Sequence, residues 1–187
     1  MHAERLRPTD AAQYRALMLD AYASQPDAYT STVAERESLP LDWWRARIAE
    51  GDAPAEMVLG IRIDGRWCGL AGLQFEARER RRHQALLFGM WVTPVARRRG
   101  VGMALVQAVL TQAAARPAIE VVHLTVADGN RDARALYERC GFRPWGVEPM
   151  AVRFAEGNDA PARYVGRVHM ACLVDRVDRG EGKAPVA

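Results

Sequence analysis

Residues 92–104 read Val-Thr-Pro-Val-Ala-Arg-Arg-Arg-Gly-Val-Gly-Met-Ala, and in this stretch a predicted strand gives way to a predicted helix. An apolar run stops at Thr93 and Pro94, and apolar residues recur at helical spacing after the glycines. Gly100 and Gly102 therefore stand at the start of the helix. The first N–H groups of a helix have no partners within it, and glycine allows a ligand close to the backbone. This turn is typical of an anion site.

The residues beside the two glycines favour phosphate as the anion. Three consecutive arginines, at 97–99, supply guanidinium groups that match phosphate geometry. A P-loop is excluded because Met103 follows Gly102, where that motif requires lysine and then serine or threonine. A dinucleotide fingerprint requires three glycines in register, and only two are present. The alternative is an ordinary solvated, basic start of a helix.

The sequence on both sides of this junction alternates between strand and helix patterns. Strands are predicted at 4–7, 57–63, 66–73, 84–92, 119–126, 142–154 and 165–174, and helices at 11–22, 40–48, 101–116 and 131–140. Asp64 and Gly65 form a hairpin turn, and residues 23–39 are polar and irregular. This order predicts an α/β fold, with one mixed, mostly antiparallel sheet of about seven strands flanked by about four helices. We expect one domain at residues 1–175 and a flexible polar tail at 176–187.

Length and composition exclude several classes of protein. The chain has 187 residues, 49% hydrophobic and 26% charged, which suits one globular domain with an apolar core. The 3 cysteines are widely spaced and form no CxxC pair, which argues against a disulfide framework and a metal site. No apolar run could span a membrane or act as a signal peptide, so we expect a cytoplasmic protein without a membrane partner. The small net charge of +3 and the lack of a basic stripe argue against nucleic acid as a partner.

A second block, at residues 130–142, matches the pattern Asn-x-x-Ala-x-x-Leu-Tyr-x-x-x-Gly-Phe. It is met by Asn130, Ala133, Leu136, Tyr137, Gly141 and Phe142. The first block matches Arg/Gln-x-x-Gly-x-Gly/Ala through Arg97, Gly100 and Gly102. With both blocks in order after strands of the expected type, the chain resembles the GNAT superfamily of acyl-CoA-dependent N-acyltransferases. The resemblance in element order extends over nearly the whole chain.

The resemblance implies a cofactor, acetyl-CoA, and where it binds. The strands at 84–92 and 119–126 would splay apart and open a slot in which thioester and amine meet. The backbone at 99–102 would hold the pyrophosphate, the strand at 90–92 would pair with the pantetheine arm, and Asn130 would contact the cofactor near the split. The implied cofactor-binding residues are Met90, Trp91, Val92, Arg97, Arg98, Arg99, Gly100, Val101, Gly102, Met103, Ala104, Asn130, Ala133 and Tyr137.

Tyr137 is the residue that the resemblance assigns to catalysis. It would lie beside the sulfur and protonate the departing thiolate. A phenol with a pKa of about 10 is chemically suited to this, and general acid catalysis of this kind contributes about 100- to 10,000-fold. The alternative is a packed aromatic residue, because Leu136 and Tyr137 also fit a core stripe at helical spacing.

The general base is where the chain departs from the family pattern. Many relatives carry a glutamate on the strand that corresponds to 84–92, and this strand has no carboxylate. An ammonium with a pKa near 10 must lose a proton before it attacks, so ordered water or a residue elsewhere is needed. Candidate residues are His123, Glu76, His83 and Glu148. His123 is the first choice because an imidazole titrates near 6.5.

The acceptor is expected at the parts of the chain that the family pattern fixes least. Tyr29, Trp43 and Trp145 are predicted to bind it, and Tyr22 and Trp44 are further aromatic residues that fit core packing as well. The resemblance implies an enzyme that transfers acetyl to a primary amine of a small molecule or peptide, by direct attack in a ternary complex. A non-catalytic acyl-CoA sensor or assembly protein is the alternative. Family habit also makes a homodimer possible.

Overall fold

Seven strands form one sheet in the part of the chain that the structure describes. The structure is a computed structural model, and it describes residues 1–51, 53–154 and 161–174. The strands are β1 (Ala3–Arg5), β2 (Glu56–Ile63), β3 (Arg66–Phe75), β4 (Gln84–Val92), β5 (Val121–Ala127), β6 (Arg143–Phe154) and β7 (Arg163–Leu173). The order across the sheet is β1-β2-β3-β4-β5-β7-β6. Only the β4–β5 pair is parallel among these strands, so the mixed, mostly antiparallel sheet is confirmed.

Local turn chemistry explains the β2–β3 hairpin. Asp64 and Gly65 have φ angles of 50° and 75°, the left-handed conformation that a two-residue hairpin turn requires at both positions. The predicted tail at 176–187 lies outside the described residues, as does residue 175 at the end of the predicted domain. Within the described residues, no helix is both long and apolar enough to cross a membrane.

Five α-helices accompany the sheet in the described ranges. They are α1 (Ala11–Ser24), α2 (Val33–Glu37), α3 (Leu41–Ala46), α4 (Val101–Ala114) and α5 (Arg131–Arg139). Helix α2 was not predicted, since residues 23–39 read as irregular. Its signal was the capping box, in which Glu35 N–H donates to Thr32 Oγ1 at 3.2 Å and Thr32 N–H donates to Glu35 Oε2 at 2.8 Å.

The two faces of the sheet bury two separate apolar clusters. Helix α4 packs on one face, where Val101, Leu105 and Val109 are almost fully buried. Helices α1 and α3 cover the other face, where Tyr14 meets Trp44 edge-to-face with ring centroids 5.3 Å apart. Burial of these clusters fixes the helices to the sheet and so fixes the start of α4 against the end of β4.

Gly69 on β3 allows α4 to approach the sheet closely. A Cβ at this position would lie 2.7 Å from Val101 Cγ1 and 2.9 Å from Leu105 Cδ1. We expect Gly69→Ala to lower the free energy of unfolding by about 1–3 kcal/mol, because the added methyl group overpacks this contact. Urea denaturation measures the change. The control is Gly146→Ala on β6, where a Cβ meets nothing within 4 Å, and an equal loss in both variants would contradict the close-approach argument.

Candidate active site

The parallel strands β4 and β5 are paired only where they begin. The paired residues are Gln84 with Val121, Ala85 with Val122, and Leu86 with His123. Beyond this point β4 continues beside β3, and β5 continues beside β7. A cleft therefore opens between 87–92 and 124–127, and the splay predicted between these strands is confirmed.

A β-bulge in β4 lies at this cleft. Leu70 pairs with Trp91 and Gly72 pairs with Phe88, so β4 has one more residue than β3 between these pairs. Gly89 lies within the bulge with a φ of 59°. A bulge disrupts the ladder and leaves backbone groups free of it. The bulge was not predicted from the sequence, although an isolated glycine in a strand pattern is a signal for one.

The turn before α4 presents backbone N–H groups without protein acceptors. The first amide hydrogen bond of the helix runs from Ala104 N–H to Gly100 O at 3.0 Å, and none of the N–H groups at 98–103 has an acceptor among the described residues. Gly100 has a φ of 81°, and a Cβ there would meet nothing within 4 Å. Arg98 is also left-handed, with a φ of 58°. Free donors, open space and the positive end of α4 fit a pyrophosphate.

Arginines 97–99 are all exposed beside this turn, but they are held differently. Arg97 Nε donates to Val92 O at 3.2 Å, and its guanidinium lies 4.9 Å from the Trp91 ring centroid. Trp91 is itself buried, so any cofactor contact at that position involves the backbone. Arg98 and Arg99 have no hydrogen bond or ion pair within the described chain, and their donors are free for phosphate.

The start of α5 borders the same cleft. Asn130 caps this helix, and its Oδ1 accepts a hydrogen bond from Ala133 N–H at 3.1 Å. The cap leaves the side-chain NH₂ of Asn130 as a donor. Gly102 at the start of α4 packs against α5, since a Cβ there would lie 3.0 Å from Leu136 Cδ2. The two sequence blocks are therefore neighbours in space, with Met90 of β4 beside them.

Tyr137 on α5 is buried, yet its hydroxyl makes no hydrogen bond to any described residue. Its ring packs against Phe142, with centroids 5.9 Å apart. Burial raises the pKa of Tyr137 well above its usual value of 10.0, so the phenol keeps its proton at neutral pH. Burial, together with the nearby Tyr137 phenol, also raises the pKa of Tyr29.

Residues 26–29, here called the roof turn, connect the two sides of the cleft. Tyr29 Oη donates to Met90 O at 2.8 Å, which ties the roof turn to the bulged part of β4. Arg167 Nη1 on β7 donates to Ala28 O at 3.0 Å, which ties it to the other side. Asp27 accepts from both terminal nitrogens of Arg163, at 2.7 and 3.1 Å. Tyr29 was predicted at the acceptor site from the sequence, whereas neither arginine was.

The four candidate bases differ in their surroundings. His123 is half-buried at the narrow end of the cleft, and its pKa is lowered first by burial and then by Arg81 and two histidines. Glu76 forms ion pairs with two arginines, and its pKa is lowered first by a backbone N–H donor. Glu148 Oε2 lies 3.1 Å from His169 Nε2. His83 is half-buried, and its Nε2 lies 3.3 Å from Gln84 Nε2.

The predicted acceptor residues do not all come together. Trp145 is 62% exposed on β6, and its ring centroid lies 5.1 Å from that of His169 and 6.4 Å from that of His123. Trp43 lies on α3, where the guanidinium groups of Arg36 and Arg47 each stand 4.8 Å from its ring centroid. Trp145 therefore adjoins the first-choice base, whereas Trp43 belongs to a separate stack of arginine and tryptophan.

In the described ranges, no group of three or more His, Cys, Asp or Glu side chains could hold a metal ion. The chemistry available at the cleft is that of a protonated phenol, a neutral imidazole and free backbone donors. These groups suit proton transfer during acyl transfer beside a bound phosphate ester.

Solved structures share this architecture. The GNAT-family acetyltransferase of Streptococcus pneumoniae superposes with a TM-score of 0.75 at 19% identity, covering 93% of this chain and 99% of that one. A ribosomal-protein-alanine N-acetyltransferase from Brucella melitensis gives 0.72 at 21% identity, covering 92% and 99%. The structure of yncA from Salmonella typhimurium, solved with its cofactor acetyl-CoA, gives 0.71 at 19% identity, covering 100% and 98%. These similarities establish the fold.

Sequence comparison adds the family. The chain is 32% identical over 139 residues to a mycothiol acetyltransferase of Clavibacter michiganensis subsp. michiganensis (strain NCPPB 382). The match covers 74% of this chain and 41% of that protein, so this chain spans less than half of its relative's length. The family model described as "Acetyltransferase (GNAT) family" matches residues 16–142, which include both sequence blocks and the cleft between them. The chain therefore belongs to the GNAT family of acetyltransferases.

Proposed function

We propose that this chain transfers an acetyl group from acetyl-CoA to a primary amine of a small molecule or peptide, by direct attack in a ternary complex. One observation carries the proposal: a buried, protonated Tyr137 phenol without a hydrogen-bond partner in the described chain, next to an open cleft. Acetyl-CoA supplies an acetyl group on a thioester, whose thiolate is the leaving group. Family membership and the acetyl-CoA in the yncA structure support this choice of cofactor.

Tyr137 acts as the general acid in this proposal. Its raised pKa keeps a proton on Oη, and the absence of a partner among the described residues leaves that proton available to the departing sulfur. The hydroxyl of Tyr29 donates its hydrogen bond to Met90 O. Tyr29 therefore positions the bulge and does not compete with Tyr137 as the general acid.

The backbone donors at 98–103 hold the pyrophosphate, with Arg98 and Arg99 adding charge from the exposed side. The free NH₂ of Asn130 is a further donor near the split. These contacts fix the position of the thioester relative to the acid and the base, which is how binding contributes to rate.

His123 is the proposed base. Its lowered pKa leaves the imidazole neutral at pH 7, so it can accept the proton that an ammonium must lose before attack. We expect kcat/KM to fall with an acidic limb below the ordinary histidine value of 6.5. The value of kcat/KM falls as the pH falls because protonation of His123, below its lowered pKa, removes the group that accepts the proton. The amine itself titrates separately, near 10.

A pH profile of thiol release checks this assignment. His123→Gln is expected to lower the neutral-pH rate by about 100-fold and to remove the acidic limb. His83→Gln is the matched control, with the same substitution at a neighbouring histidine, and should keep the limb. Loss of the acidic limb in the His83 variant alone would identify His83, and not His123, as the general base.

The experiment for the function as a whole is acetyl-CoA binding by calorimetry, followed by thiol release against a panel of primary amines. Binding with turnover supports the enzyme. The alternative is an acyl-CoA sensor or assembly protein, which the lack of a carboxylate on β4 favours. Binding without turnover across the panel would support that alternative, and no binding would overturn both.

The proposal extends to location and assembly. We place the protein in the cytoplasm, with no nucleic-acid or membrane partner.

A homodimer is proposed with the edge strand β6, where Trp145, Val147 and Met150 are exposed. Light scattering would give the mass, and a monomer would remove the dimer from the proposal.

A further inference from the structure

Arg167 is a buried cation with unused donors. Only 3% of its surface is exposed, and Nη1 donates to Ala28 O. Its Nε and Nη2 are fully buried and have no partner in the described chain. A buried charged group with unpaired donors is costly, and burial accordingly lowers the pKa of this guanidinium.

The two unused atoms define the shape of the missing partner. Nε and Nη2 lie on the same edge of the planar guanidinium, and this edge receives the two oxygens of a carboxylate side by side. The two nearby acids are engaged elsewhere: Asp27 binds Arg163 through both oxygens, and Glu148 lies 3.1 Å from His169. Both carboxylates raise the pKa of Arg167 through their negative charge, but neither forms a hydrogen bond with it.

The roof turn connects Arg167 to the acceptor side of the cleft. Arg167 donates a hydrogen bond to the carbonyl of Ala28. The next residue, Tyr29, donates one to the carbonyl of Met90 in the β4 bulge. His169 lies two residues after Arg167 on β7. Side chains two residues apart on a strand point to the same face, so Arg167 and His169 share a face of the sheet. The guanidinium is thus linked through the roof turn to the place where thioester and amine would meet.

We propose that Arg167 binds a carboxylate of the acceptor, so that the acceptor is an amino acid or a similar amine carrying a carboxylate. This rests on the proposed acetyltransferase function. An acceptor with a carboxylate pairs both unused donors, whereas its decarboxylated counterpart leaves them buried and unpaired. A site of this kind discriminates strongly against the analogue that lacks the group.

Matched pairs of acceptors test the proposal directly. Thiol release from acetyl-CoA is measured with methionine and 3-(methylthio)propylamine, phenylalanine and phenethylamine, and lysine and cadaverine. At least one carboxylated member should exceed its partner in kcat/KM by at least roughly 10- to 100-fold, the value of a single hydrogen bond to a charged group. Arg167→Met should remove that preference, and Arg167→Lys should restore only part of it because the fork is lost. Equal or higher rates with every decarboxylated amine would overturn the proposal.

A binding experiment keeps the proposal separate from turnover. Calorimetry and thermal unfolding are run with the same amino acids in the presence of coenzyme A, with Arg153→Met as the matched control on the exposed face of β6. Carboxylated amines should bind and stabilise the wild type and the control but not Arg167→Met. If they do so without any acetyl transfer, the acetyltransferase function fails and the carboxylate site stands. If amines are acetylated and Arg167→Met binds carboxylated and decarboxylated members as the wild type does, the carboxylate site fails alone.

Discussion

Tyr137→Phe is expected to lower kcat by about 100- to 10,000-fold while the Kd for acetyl-CoA changes by less than about twofold. The substitution removes one oxygen atom and keeps the ring that packs against Phe142. Because burial raises the pKa of Tyr137, the hydroxyl is a proton donor at every pH used for assay, and its loss leaves the thiolate without an acid. No hydrogen bond to a described residue is lost with it, so stability should change little.

Steady-state thiol release and calorimetry on the same preparation separate the two parameters. Tyr14→Phe is the control, since Tyr14 is buried on the opposite face of the sheet and burial raises its pKa to about 12. That variant should keep the wild-type kcat. A wild-type kcat in Tyr137→Phe would show that Tyr137 is a packed core residue and not the general acid.

Gly100→Glu is expected to raise the Kd for acetyl-CoA by at least roughly 100-fold, the loss of one or two charged hydrogen bonds. The new carboxylate would occupy the free N–H groups at 98–103 and repel the pyrophosphate. A side chain at a φ of 81° also strains the backbone by about 1–2 kcal/mol. Calorimetry with coenzyme A measures the change.

Two further variants isolate the charge. Gly100→Ala introduces the same backbone strain into open space and should weaken binding less than Gly100→Glu does. Gly65→Glu places the same carboxylate at another glycine with positive φ and open surroundings, in the β2–β3 turn, and should bind coenzyme A normally. An unchanged Kd in Gly100→Glu would remove the phosphate site from the candidate active site.

The features that sequence reasoning predicted are those that neighbouring residues determine. Asp64 and Gly65 determine their own turn, and the glycines before α4 determine where that helix begins. The predicted split between β4 and β5 came from the family resemblance, and it is confirmed by a ladder limited to three residue pairs, 84–86 with 121–123. The capping box at Thr32 was a local signal too, but without an apolar stripe beside it the short helix α2 was missed.

The features that sequence reasoning missed depend on residues far apart in the chain. Tyr29 is 61 positions from the carbonyl it binds, and Arg167 is 139 positions from Ala28. A buried arginine in β7 has the same local sequence appearance as an exposed one, because burial depends on what packs above the strand.

The cleft has a consequence for how this protein avoids unwanted association. Where β4 and β5 part, the sheet acquires two additional edges in its interior, each with backbone groups that lack a neighbouring strand. A bare edge of this kind is a template for strand addition by another polypeptide, and natural proteins protect such edges with covering segments. The roof turn, anchored on Met90 at one side and on Arg167 at the other, is such a cover. The segment that spans the cleft therefore also shields the centre of the sheet from self-association.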